Sequence, residues 1–220
     1  MFRASHVCLL AIWTSIIACL CPHILTRVYS RGLPLFTTLS TIGGGGKCER
    51  FFFSFFLAIS GVAWFATCII HYSVYLPKTR STDSISRFEF VLSTVLGLSL
   101  GALAAIDHYY PLHFVVTVVF FLSSSLASFL TTLRISHHKN TESRTSRVLH
   151  NWFLFSTMLP FVLQLLLNSR FPFLHKHRSV VFSVFEHLYI ASLLHFNYRY
   201  THQDLLHVYI SFETKTVKHE

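Results

Sequence analysis

Asp107, His108 and His113 bracket the segment IDHYYPLH, and Glu186 stands inside an otherwise apolar run, VFSVFEHLYI. These are the residue types that move protons. Acyl transfer uses a histidine to take the proton of an attacking hydroxyl and a carboxylate to orient that histidine. Neighbouring side chains on a helix point apart, so Asp107 does not orient His108. His113, across the Pro111 turn, is the better geometric partner. The bland reading of the same residues is a solvated turn at a membrane boundary. Glu186 has two readings as well. It is a general base or head-group contact, or it is a bundle-facing acid bonded to Ser123, Ser124 or Ser125. Asn197, eleven positions on, returns to nearly the same helix face.

A second constellation is LSTIGGGGKCERFFFSFF, residues 39–56. Gly43, Gly44, Gly45 and Gly46 tolerate positive φ, so successive N–H groups can converge on an anion. The run leads into a helix start, where unpaired N–H groups and the macrodipole favour phosphate. Lys47 and Arg50 add full charges. A phospholipid or glycolipid head group fits such a cradle. A glycine run is equally the composition of a flexible linker. It is not a nucleotide loop, because Thr41 stands where that motif needs a glycine and Cys48 where it needs a hydroxyl.

Other chemistries are excluded more simply. The histidine pairs His137-His138 and His175/His177 have no cysteine or carboxylate at ligand spacing, so no metal site and no cofactor is expected. The net charge of +9 comes from short basic segments between apolar blocks, not from a stripe with interleaved aromatics. That footprint argues against nucleic acid. Four of the five cysteines lie in apolar blocks and Cys48 is alone in a polar segment, which is no disulfide framework.

The elements that must position these residues follow from composition. The chain has 220 residues, 52% hydrophobic and only 12% charged, with mean hydropathy +0.52. Soluble domains carry about 25% charged residues. Apolar blocks of roughly 20 residues match the ~30 Å hydrocarbon core as helices, which satisfy their own backbone. The reading is an all-α, polytopic membrane bundle forming one domain over residues 1–220. Six spans are expected, at about 7–28, 51–76, 88–106, 112–133, 148–167 and 178–200. The first is expected to be retained, because its apolar run is longer than a signal core. Eleven of the eighteen lysines and arginines fall on the side of the termini, which places both ends in the cytosol. The glycine segment and Asp107–Pro111 then face the lumen. Ser93, Gly97, Gly101 and Ala105 put a small residue at every fourth position of the third span. That stripe lets a neighbouring helix approach, or it forms a groove for a lipid tail. Tyr109, Tyr110 and Trp152 fit the interfacial aromatic belt.

Three patches together resemble a known family: LSTIGGGGKCERFFFSFF, AIDHYYPLHFVVTVVFFLSSSL and VFSVFEHLYIASLLHFNYRYTHQDL. They are similar to the six-span family that joins the DRAM autophagy modulators, the yeast Sfk proteins and the post-GPI-attachment-to-proteins factor 2 proteins. Ser40-Thr41-Ile42-Gly43-Gly44 and Phe185-Glu186 look more like the GPI branch. That resemblance implies GPI-anchor lipid remodelling in the Golgi and endoplasmic reticulum, by reacylation of lyso-GPI. Whether the protein catalyses or assists stays open, since no acyltransferase motif is present. GPI, lyso-GPI and phospholipid are the implied partners; protein partners stay open. The alternative is a DRAM-like regulator of autophagy in the lysosomal membrane, without enzymatic activity.

Overall fold

The computed structural model describes residues 2–29, 39, 46–75, 84–106, 111–136, 141–167 and 172–210. Six long helices lie among them: α1 (Ala4–Val28), α2 (Lys47–Tyr75), α3 (Ser84–Ala105), α4 (Pro111–Ser136), α5 (Thr141–Leu167) and α6 (Pro172–Phe196). α6 continues into a π-helical turn, Asn197–His202. Apart from one two-residue ladder and a few turn residues, the described residues are helical. Proline opens both α4 and α6. Its fixed φ and missing N–H suit a first helical position.

Cross-helix contacts give the topology. Ser15 meets Ser60 at 2.5 Å, joining the middles of α1 and α2. Gly61 packs on Gly97, joining α2 and α3. Thr131 meets Glu89 at 2.8 Å, Asn151 donates to Thr132 at 2.6 Å, and His150 reaches Ser192 at 3.0 Å. The last three contacts pair the start of one helix with the end of its neighbour, as do the Tyr72 and Phe90 rings of α2 and α3, 4.5 Å apart. His71, near the end of α2, lies 4.0 Å from Asp204, close to Val208, whose carbonyl takes the Ala4 N–H at the start of α1. Successive helices therefore run antiparallel. The ladder pairs Phe2–Arg3 (β1) with Tyr209–Ile210 (β2), so both described ends of the chain meet at one end of the bundle. This is the terminal end; the opposite end, where α1 stops and α2 starts, is the distal end.

Four helices contain stretches long and apolar enough to cross a bilayer: Ala4–Val28, Lys47–Ser73, Arg87–Ala105 and Leu112–Leu133. Their faces are sorted for lipid rather than water. Trp13, Val62, Leu98 and Trp152 point outward, whereas Ser60, Ser124, Ser183 and Thr132 are buried. Hydrocarbon solvates Leu and Phe as well as a core does, so helices cohere by close packing and hydrogen bonds instead. Membrane embedding follows from this pattern. Tyr189 illustrates the second force. Its hydroxyl lies 2.6 and 2.7 Å from Ser124 and Ser125 and donates to the Phe121 carbonyl at 3.0 Å. Such interhelical bonds average about 0.6 kcal/mol in lipid.

The helices start earlier than the apolar blocks suggest. α2 takes in Lys47–Arg50, α5 begins at Thr141 and α6 at Pro172. Charged residues were read as loop, but a helix entering the bundle carries its polar first turn outside the hydrocarbon. Arg147, in the polar stretch between the expected fourth and fifth spans, is buried, at 3% exposure. Its guanidinium lies 3.5 Å from Asp204 and 4.3 Å above the Tyr200 ring. Glu186 is not alone as a buried acid either, because Glu49 and Glu89 are buried too and the Asp204 side chain is 1% exposed.

Candidate functional site

Lys47 and Arg50 belong to the first turn of α2, are exposed, and stand at the distal end. The Arg50 N–H bonds to the Gly46 carbonyl at 2.8 Å, so Gly46 is the residue from which the helix grows. Below the two cations a groove runs between α2 and α3, walled by Phe51, Phe55 and Ala58 on one side and Gly101, Ala104 and Ala105 on the other. Its volume is about 580 Å³. The groove exists because of the small-residue stripe. A Cβ added at Gly61 would lie 2.9 Å from Gly101 N and from Gly97 O, so the helices touch there. The Cα of Gly101 opens onto the groove instead, and a Cβ there would meet nothing within 4 Å. The packing reading of the stripe holds at Gly97, while its distal part lines the groove. Gly97 packs; Gly101 and Ala105 open a trough. Cations over an apolar trough suit an anionic head group with its chain beneath.

Gly43, Gly44 and Gly45, with Asp107 and His108, lie outside the described residues. His113 is buried at the start of α4, with Nδ1 3.1 Å from the Ile106 carbonyl. That carbonyl accepts, so Nδ1 carries the proton and ties α4 to the last turn of α3. Glu186 is buried and accepts a hydrogen bond from the Leu39 N–H at 2.9 Å. Of the serines expected to bond Glu186, Ser124 and Ser125 bond Tyr189 instead, which lies three positions on and faces α4, and Ser123 donates to the Phe120 carbonyl at 3.2 Å. Glu186 thus fastens a residue of the segment between α1 and α2. The described candidates fall in three places: Lys47 and Arg50 on the α2–α3 groove and His113 on the α3–α4 junction, both at the distal end, and Glu186 on Leu39, near the middle of α6.

One arrangement escaped the sequence reading. His23 on α1 and His187 on α6 face each other with Nε2 atoms 2.9 Å apart. His187 Nδ1 lies 2.6 Å from the Ser183 carbonyl, which can only accept. His187 is therefore protonated on Nδ1, and His23 donates from Nε2 to it. The pair is a chain of two imidazoles chemically able to relay a proton between α1 and α6. The clue was a histidine within the first apolar block, one turn after Cys19 on the same face. Among the described residues no group of three or more metal-ligating side chains is assembled.

The family model that matches is the Frag1/DRAM/Sfk1/Cwh43P N-terminal domain, over residues 3–208. No curated protein and no solved structure matches the chain.

Proposed function

The chain belongs to the Frag1/DRAM/Sfk1/Cwh43P family, and from that premise we propose that it binds a glycosylated phospholipid from the lumenal side and supports GPI-anchor lipid remodelling. Six spans thread the bilayer in this reading, with the terminal end in the cytosol and the distal end in the secretory lumen of the Golgi and endoplasmic reticulum. The observation that carries it is the groove between α2 and α3, with Lys47 and Arg50 above an apolar trough. The cations take the phosphate, and Phe51, Phe55 and Ala58 line the path of one acyl chain. Gly43–Gly46 cradle the head group from the approach to α2. Asp107, His108, His113 and Glu186 are the candidates for contact with the acylated glycerol. The His23–His187 relay adds a proton acceptor there if the protein itself transfers the chain.

Each cation near an anionic surface contributes about 1 kcal/mol. Lys47→Glu with Arg50→Glu is expected to weaken anionic lipid retention by more than tenfold, each 1.4 kcal/mol being a factor of ten. Lipid co-purifying with the full chain, identified by mass spectrometry, measures this. In cells lacking the protein, surface GPI anchors should show an altered fatty-acid profile, restored by the natural chain and not by the double variant. An unchanged profile would sink the remodelling role, and a lysosomal rather than Golgi location would favour the autophagy regulator.

A further inference from the structure

Ionisable side chains are rare inside a membrane bundle, and one found there calls for a partner. His23, in the last two turns of α1, and His187, near the middle of α6, partner each other. Their Nε2 atoms are 2.9 Å apart and their ring centroids 5.2 Å apart. Among the described residues this is the one hydrogen bond that runs directly from α1 to α6. Otherwise α1 packs on α2 and on the π-helical turn, and α6 on α5 and on that same turn. The histidine pair therefore closes a seam between the first helix and the last. That seam is loosely filled. A cavity of about 40 Å³ lies beside the pair, walled in part by Ser15 and Cys19 of α1 and by Ile190 and Leu194 of α6. Atoms lining a gap forfeit dispersion contacts, so parting the helices here costs less than parting α2 from α3 at Gly61.

Proton count decides whether the contact survives. The Ser183 carbonyl, 2.6 Å from His187 Nδ1, fixes the His187 proton on that nitrogen. His187 Nε2 is then the acceptor and His23 Nε2 the donor. One added proton, on His23 Nδ1, leaves the bond in place. A second has to occupy the lone pair of His187 Nε2, which is the acceptor itself. Two N–H groups then face each other, two positive charges sit on neighbouring rings, and the bond is gone. Among the described residues, the other titratable or charged groups at the seam are Cys19 and Arg27, each one turn from His23 on α1, and Glu186 beside His187 on α6. Arg27 adds a fixed positive charge that strengthens the repulsion once both rings are charged. Glu186 accepts the Leu39 N–H at 2.9 Å, and Leu39, from the chain joining α1 to α2, does not ionise.

We propose that His23 and His187 form a pH-sensitive clasp, which holds α1 to α6 at neutral pH and releases them when both imidazoles are protonated. Imidazoles change charge between about pH 5 and 8, the span that separates a neutral compartment from an acidic one. Charging paired histidines biases a two-state contact in this way. The clasp does not rest on the lipid reading above, since neither histidine lines the α2–α3 groove.

The test uses the full chain in nanodiscs, with a ketone-bearing amino acid replacing Ile24 and another replacing Leu188, each coupled to a nitroxide. Both positions face outward next to a clasp histidine, and no cysteine is altered. Double electron–electron resonance reads the distance between the labels at about pH 7.5 and about pH 5, on either side of the ordinary imidazole range. One short distance is expected at the higher pH. At the lower pH a longer distance should rise from a minor to the major population. In the chain carrying His23→Gln and His187→Gln the two distributions should coincide, because glutamine does not titrate. Glu186→Gln should leave the response as it is. If the histidine variants do not fold, the labelled chain with both histidines decides alone, and distributions that coincide at the two pH values overturn the clasp. A response that survives in the double-glutamine chain, or that Glu186→Gln removes, overturns it too, because another group is then the sensor.

Discussion

Glycines at 61 and 101 differ in what surrounds them, and therefore in what substitution does. At Gly61 a methyl group would press on two backbone atoms of α3 at 2.9 Å, and backbone cannot rotate away. Gly61→Ala is expected to destabilise by about 1–3 kcal/mol, the usual cost of overpacking a close contact. Gly101→Ala meets open space and should leave the unfolding midpoint unchanged, whereas Gly101→Leu should fold and still lose anionic lipid by filling the trough. Thermal unfolding and lipid retention of the three variants separate the roles. Arg147 and Asp204 give a second residue-scale case. Both side chains are nearly fully buried, 3.5 Å apart. Removing one partner leaves a charge in a low-dielectric site, so Arg147→Met alone should cost about 3–5 kcal/mol. Pairing it with Asp204→Leu should recover most of that loss in denaturant unfolding. Equal destabilisation by single and double variants would mean that the pair is not the source.

At the scale of elements, the helices were legible because membrane spans write themselves as long apolar runs. The described spans agree with 7–28, 51–76, 88–106 and 112–133 to within a few residues. Their starts were not legible, since Lys47-Cys48-Glu49-Arg50 is polar and only the Arg50 N–H bond to Gly46 marks it as helix. The stripe on α3 was readable as a spacing of four. How it divides was not, because that depends on where α2 crosses: Ser93 lines an interior cavity, Gly97 touches α2 and Gly101 lines the groove. Partner choice was the least visible property. Glu186 and Tyr189 lie three apart on α6, yet one reaches Leu39 and the other α4. Likewise nothing in the local sequence joins His23 to His187, which are 164 residues apart. The π-helical turn is a further case. It seats Tyr200 under Arg147 and lets the chain double back so that the Ala4 N–H reaches the Val208 carbonyl at 2.9 Å.

For the whole molecule, the ladder between β1 and β2 makes one topological statement firm: the two described ends share a face of the bundle. Antiparallel succession of the helices then sets Cys48, in the first turn of α2, at the opposite end. Which compartment receives that end decides whether Lys47 and Arg50 can meet an anchor lipid at all. The excess of lysine and arginine near the termini argues for the lumen. Cys48 is exposed, whereas Cys8 is buried and Cys19, Cys21 and Cys68 are partly covered within long helices. A membrane-impermeant maleimide therefore reports on Cys48 by itself when labelled peptides are mapped by mass. In sealed microsomes, whose outer face is cytosolic, Cys48 should stay unlabelled until the vesicles are permeabilised. Labelling before permeabilisation would put the cationic groove in the cytosol and remove the lumenal anchor substrate, while leaving the helical bundle untouched.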